Sequence, residues 1–147
     1  MAPHVWGCRT DKKSMFEWKQ QYSVVIPSID AQHQNLFGIA HELYEAMSAG
    51  KGKAVLARIL DRLVQYTVVH FAHEERLMRQ NEYPDLAKHQ VEHAALTQKV
   101  SQFQQDFQAG HVTMTVQLLH FLKDWLEHHI QGSDKAYAPH LKAKAVA

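Results

Sequence analysis

Residues 84–110 read PDLAKHQVEHAALTQKVSQFQQDFQAG. In this stretch Leu86, His89, His93, Leu96, Val100, Phe103 and Phe107 recur at intervals of three and four without a break. That period is one face of an α-helix. Pro84 suits the first turn of such a helix and Gly110 its C-terminal stop. Replacing His89 and His93 by leucine would complete an ordinary apolar seam, so the pattern places both imidazoles on the inward face. Four residues apart, they lie about 40° from one another around the axis and can reach one metal ion.

Similar readings hold on either side. Ser28 and Asp30, both good N-cap types, precede Leu36, Phe37, Ala40, Leu43, Tyr44 and Met47, and this first helix should stop near Gly50. After the turn at residues 50–53, Leu56, Ile59, Leu60, Leu63, Tyr66, Leu77 and Met78 mark a longer second helix that ends around residues 81–83. A fourth, capped by Thr113 or Thr115, carries Leu118, Leu122, Trp125 and His129 inward, and Gly132 should close it. Four helices with short connections make antiparallel neighbours. The expected fold is all-α, an up-down-up-down antiparallel four-helix bundle with residues 1–28 as an extended N-terminal arm. The division is a tail at 1–15, the bundle at 16–140 and a fraying tail at 141–147.

Composition narrows the function. The 147 residues suit one domain, and 16 Lys+Arg against 15 Asp+Glu give a net charge of +1, too weak a field to drive binding to nucleic acid or anionic membranes. No apolar run approaches the roughly 18 residues needed to span a bilayer, and residues 1–14 lack a signal-peptide core. With one cysteine, Cys8, no intrachain disulfide can form, which agrees with the expected cytoplasmic location; the small net charge and the lack of an obvious exposed apolar stripe make a monomer the expectation. The unusual number is 12 histidines, nearly as many as either charge sign.

Those histidines divide by face. His70 and Glu74 are four residues apart and in phase with Leu63 and Tyr66. His129 shares the face of Leu118, Leu122 and Trp125, whereas His128 is rotated by about 100°. His33 opens the inward face of the first helix. Asp134 is the candidate second carboxylate: an unbroken helix would turn it about 140° from His129, but a break at Gly132 could swing it back. The remaining histidines suit ordinary surface, turn or tail positions: His41 and His120 fall off the inward faces, His111 lies in a turn and His4 and His140 in terminal segments. His73, at the edge of the His70 face, is the ambiguous one. Burying five imidazoles with carboxylates in one core leaves many donors and acceptors competing for few partners, and a shared metal resolves that cost. By donor type alone zinc or manganese would serve as well as iron.

The segments Ile29-Asp30-Ala31-Gln32-His33, Tyr66-Thr67-Val68-Val69-His70-Phe71-Ala72-His73-Glu74-Glu75, His89-Gln90-Val91-Glu92-His93, and Trp125–Ile130 running on to Asp134–Tyr137 resemble the hemerythrin family, specifically its single-domain bacterial members, over about residues 16–140. The resemblance implies two non-haem iron ions bridged by an oxo or hydroxo group and by Glu74 and Asp134. His89, His93 and His129 would hold one iron and His33 and His70 the other. It further implies O2 as the ligand of the two-histidine iron, within an apolar pocket of Phe71, Trp125, Leu126 and Ile130. With octahedral iron, these ligands leave one open position, on that same iron. An O2 carrier, store or delivery protein, with an O2-consuming protein as recipient, is the expected role rather than an enzyme; the alternatives are a di-iron enzyme reducing peroxide or nitric oxide, or an O2 or redox sensor. The ferritin-like oxidases differ in ligand type, because they use Glu-x-x-His pairs, which this chain lacks.

Overall fold

The computed structural model describes residues 16–110, 116–144 and 146, apart from the side chains of residues 116 and 117. Its long helices are α1 (Pro27–Ser48), α2 (Lys53–Gln80), α3 (Leu86–Gln108) and α4 (Val116–His128), and α4 runs through a π-helical turn at His129–Asp134 into α5 (Lys135–Ala143). The described residues contain no strand, and the four-helix bundle expected from the periodicity is the fold observed. Residues Thr113 and Thr115, expected caps of α4, and His4, His111 and Cys8 lie outside the described residues.

Several helix ends differ from expectation. The first helix starts earlier, with Ile26 at the cap and Pro27 in the first turn, where its missing N–H costs nothing and its fixed φ suits the helix. Asp30 anchors the arm instead of capping: its carboxylate accepts the Ser23 hydroxyl at 2.5 Å and the Val24 amide at 2.8 Å. Pro84 stands ahead of α3, which begins at Leu86. Gly50 (φ 69°) and Gly110 (φ 79°) end α1 and α3 in the left-handed region, as helix-stopping glycines do.

The arm joins the core. Phe16, Tyr22, Val24 and Ile26 are all buried. Tyr22 packs between Trp18 and Phe37, with ring centroids at 5.7 and 5.1 Å. Its hydroxyl donates to Glu127 Oε2 at 2.7 Å. Burial, reinforced by that carboxylate, pushes the phenol up to about 12.

Two apolar clusters fill the bundle. One contains Leu36, Leu43, Leu60, Leu63, Leu96 and Leu122 among others, and the second contains Val24, Ile26, Ile29, Met78, Tyr137, Ala138 and Leu141. Val146 packs against the second, and its amide donates to Leu141 O at 3.2 Å, so the C-terminus is tied down to that point. On α1, α2, α3 and the π turn the buried histidines and carboxylates fall between residues packed in the two clusters. The polar groups therefore form a belt sealed by apolar layers.

The α4–α5 rod shows how the belt is completed. In a regular α-helix, Asp134, Tyr137 and Leu141 would lie about 140°, 80° and 120° away from His129. All four are nevertheless buried. The π turn, which closes i→i+5 instead of i→i+4, absorbs one extra residue and returns the chain to the inward face. Gly132 does not break the helix as expected. It is exposed, and a Cβ there would meet nothing within 4 Å. A helix tolerates one glycine at about 1 kcal/mol, so the register is shifted by widening and not by termination.

Two deletions test this register. Removing exposed Gln131 makes the His129-to-aspartate spacing four and should preserve metal binding with an uninterrupted α-helix. Removing Lys135 restores the register of Tyr137 but strands Asp134, and metal content per chain, measured after dialysis, should fall.

Candidate metal centre

The belt contains His33, His70, Glu74, His89, His93, His129 and Asp134, each no more than 5% exposed. Each comes from a helical position that the period or the π turn directs inward. Their ligand atoms converge as two groups, Glu74, His89, His93, His129 and Asp134 in one, and His33, His70, Glu74 and Asp134 in the other; within each, the atoms lie within 4.8 Å of one another. The carboxylates belong to both. Asp134 is divided between them, with Oδ2 3.0 Å from His33 Nε2 and Oδ1 2.9 Å from His89 Nε2 and 3.1 Å from His129 Nε2. Glu74 Oε1 approaches His70 Nε2 at 3.2 Å and His93 Nε2 at 3.3 Å, and Oε2 faces His33 Nε2 at 3.6 Å.

Several of these atoms are close without bonding. His33 Nδ1 and Nε2, His89 Nε2, Glu74 Oε1 and both Asp134 oxygens are buried with no hydrogen-bond partner. Native interiors leave few such groups. Apart from His33 Nδ1, these imidazole nitrogens and carboxylate oxygens face one another and suit a pair of cations, which would satisfy them together.

The electrostatics agree with a site for cations. Burial opposes charge on His33, but Asp134 and Glu74 override it and carry the imidazole up to about 9. Burial likewise works against ionised Glu74, yet His70, His33 and His93 hold it well below the usual carboxylate range. Asp134 is also held low, because His129 and His33 outweigh burial and the repulsion of Glu74. Both carboxylates therefore stay ionised in a closed interior, where negative charge needs positive charge close by.

A further set of residues orients the belt. Gln32 Oε1 lies 2.7 Å from His70 Nδ1, Glu75 Oε2 2.8 Å from His93 Nδ1, and Glu92 Oε1 2.9 Å from His129 Nδ1. The Ser133 hydroxyl donates to that same Glu92 oxygen, and buried Tyr137 donates its hydroxyl to Glu74 Oε2. Holding Nδ1 fixes the tautomer and presents Nε2 to the centre. Phe71 stacks on His93 (3.7 Å, 4°) and Trp125 on His129 (4.1 Å, 16°), which fixes the ring planes as well. The sequence reading assigned no role to these polar partners. Gln32, Glu75 and Glu92 each adjoin a belt residue in sequence, and that adjacency was the available signal.

The other histidines stay outside. His73 lies 3.3 Å from Ser28 Oγ and 2.9 Å from Arg76. Exposed His128 bonds the Asp124 carbonyl of its own helix at 2.7 Å. His41 stands beside the Tyr44 ring, and His120 is exposed. His140 is engaged within the fold, with Nε2 2.6 Å from Asn81 O.

Next to the belt is an apolar cavity of about 10 Å³, room for about one water-sized molecule. Phe71, Trp125 and Leu126 line it together with Leu36, Leu63 and Leu122. Ile130, expected in the same wall, is buried in the same apolar cluster but does not line the cavity. Thr67 also lines the cavity, and its hydroxyl donates to Leu63 O at 2.7 Å.

A four-helix bundle with a nitrogen-rich donor set for two metal ions defines a metal-binding helical protein of the histidine–carboxylate class. The sequence model described as "Hemerythrin HHE cation binding domain" matches residues 24–141, and the chain belongs to the hemerythrin family. It is 33% identical over 130 residues to a bacteriohemerythrin of Stenotrophomonas maltophilia, covering 88% of this chain and 84% of that protein. It is 30% identical over 128 residues to a myohemerythrin of Riftia pachyptila, covering 87% and 95%. A crystal structure of wild-type hemerythrin superposes with a TM-score of 0.80 at 31% identity, covering 85% of this chain and 96% of the other.

The orienting bonds make a testable claim. Glu92→Ala should leave the bundle folded by circular dichroism and weaken metal retention by about 10- to 100-fold in competition with a chelator.

Proposed function

We propose that the chain binds O2 reversibly at a pair of non-haem iron ions. His89, His93 and His129 would hold one and His33 and His70 the other, with Glu74 and Asp134 shared between them. The observation that carries this reading is that two donor groups, with three and two histidines, share both carboxylates. Family membership favours iron and O2 over other metals and ligands. When bound, a ferrous pair would supply the electrons for reversible O2 binding.

The protein's part is to bind and exclude. Histidines outnumber carboxylates in the donor set, so it contributes little negative charge and favours binding O2 over activating it. The two-histidine side has fewer protein donors and leaves room for one small ligand. Phe71, Trp125 and Leu126 present hydrocarbon next to the belt, which keeps water and anions away. Thr67 has committed its proton to Leu63 O, so it does not offer that proton to a bound oxygen. The bundle at 16–140 is the functional unit. The role favoured is a carrier, store or delivery protein acting as a monomer in the cytoplasm, with an O2-consuming protein as recipient. No helix among the described residues is long and apolar enough to cross a membrane.

Anaerobic loading with ferrous iron followed by exposure to air should produce a visible charge-transfer absorption that disappears under argon and returns in air. Irreversible oxidation with sustained consumption of peroxide or nitric oxide would replace the carrier by an enzyme. His129→Ala should abolish the reversible signal, and His128→Ala should retain it. Leu126→Asn should speed autoxidation by admitting water next to the belt; an unchanged rate removes Leu126 from the protective wall.

A further inference from the structure

A neutral diatomic and a divalent cation need different ways into the belt. Hydrocarbon walls suit the first, but a cation that leaves water must meet replacement oxygens or nitrogens on its way. A small polar cleft at the α2–α3 turn supplies them. Its volume is about 50 Å³, room for a few water-sized groups, and Tyr83, Asp85, Glu92, Ser133 and His89 line it. Asp85 is exposed and occupies the N-cap position of α3, yet its side chain makes no capping hydrogen bond. Glu92 gives Oε1 to His129 and Ser133 and makes no hydrogen bond through Oε2 among the described residues. Burial and the charges of Asp85 and Glu92 together push the Tyr83 phenol up, so the two carboxylates face one space. Exposed Lys88, also at the cleft, offsets one of the two charges.

The floor of the cleft is a belt residue. His89 is 3% exposed and turns Nε2, which has no hydrogen-bond partner, towards Asp134 Oδ1 at 2.9 Å. Its ring is held differently from the others. Nδ1 of His70, His93 and His129 is fixed by Gln32, Glu75 and Glu92, and Phe71 and Trp125 lie flat on His93 and His129. His89 has neither clamp among the described residues: the rings of His93, His129 and Tyr137 stand edge-on or tilted to it, at 4.4, 4.7 and 5.4 Å. His33 also lacks a partner at Nδ1, but that nitrogen is closed off in the interior.

We propose that this cleft is the port through which divalent cations enter and leave the belt, with Asp85 and Glu92 collecting the ion from solvent and the unclamped His89 ring turning aside to pass it inward. This rests on the two-metal reading of the belt and adds a site at the surface where the ion is held in transit. Asp85 and Glu92 Oε2 replace part of its water at the mouth. His89 then exchanges places with it, and Asp134 receives it on the inner side before the imidazole returns as a ligand. Only ligands are exchanged, and no electron moves. The competing route is the wider groove between α2 and α3 that reaches His93 and Glu75 past Val68, Ala72 and Ala94. Hydrocarbon dominates that wall, and His93 is clamped there at both its nitrogen and its face.

The test follows metal exchange in the full chain, freed of metal by a chelator and titrated anaerobically with Co2+, whose visible absorption reports occupancy of the belt. Titration first establishes two ions per chain. Fewer than two overturns the two-metal reading and the port with it. Uptake is then timed by stopped flow, and release by adding excess chelator. Ala136 is exposed and lines the cleft, so Ala136→Phe covers the mouth without entering the core. It should slow uptake and release alike, by at least about tenfold, with stoichiometry and equilibrium affinity unchanged. Asp85→Asn should slow uptake by about tenfold at low salt, and the difference should shrink as salt is raised. Ala94→Phe, at an exposed position in the groove beside His93, should leave both rates as they are. Two ions per chain with unaltered rates in Ala136→Phe or Asp85→Asn, slower exchange in Ala94→Phe, or a loss of uptake in Ala136→Phe matched by weaker equilibrium binding would each overturn the port and leave the two-metal reading standing.

Discussion

Two ionised carboxylates, Glu74 and Asp134, sit fully buried in the middle of a helical bundle, and the rest of the molecule answers that fact. Taking an isolated carboxylate out of water costs many kcal/mol unless positive charge and hydrogen bonds replace the hydration. Here the replacement comes from imidazoles directed inward by the first three long helices and by the π turn that follows the fourth. The imidazoles are aimed in turn by Gln32, Glu75 and Glu92, whose side chains lie towards the bundle surface. Apolar layers above and below keep water from relieving the arrangement. The same sealing makes the belt a strong site for cations.

Most of this was legible in the sequence, because histidine at a position where the period demands leucine is conspicuous. His89 and His93 stand in an otherwise unbroken apolar seam, and His70, Glu74, His33 and His129 could be placed by phase with neighbouring leucines and aromatics. Asp134 was harder. Helical arithmetic puts it far from His129, and only a break or a widening of the helix reconciles the two; the chain uses the widening. A π turn has no strong compositional mark, and Gly132 suggested termination when it simply tolerates the turn.

The residues that orient the belt escaped notice for a different reason. A face reading sorts side chains into inward and outward. Gln32, Glu75 and Glu92 occupy the boundary, and each reaches a histidine on a neighbouring helix. Their partners depend on how adjacent helices are rotated against each other, a tertiary property that one helix's period does not contain. Tyr137 was hidden by the register shift, since its inward placement follows only once the extra residue of the π turn is counted. Helix starts were misjudged where a proline inside the first turn, Pro27, outweighed the side-chain caps.

The belt's donors are spread along nearly the whole described chain, from His33 in the first long helix to Asp134 beyond the fourth. Any pair of ions held there ties together segments separated by tens of residues, which in the unfolded chain would be loops that are entropically costly to close. With a single cysteine, the chain has no intramolecular disulfide to make such ties. The belt offers cross-links of another kind: they form once the helices have met, span the molecule as a disulfide network would, and are undone by protons or a chelator with no need of a reductant.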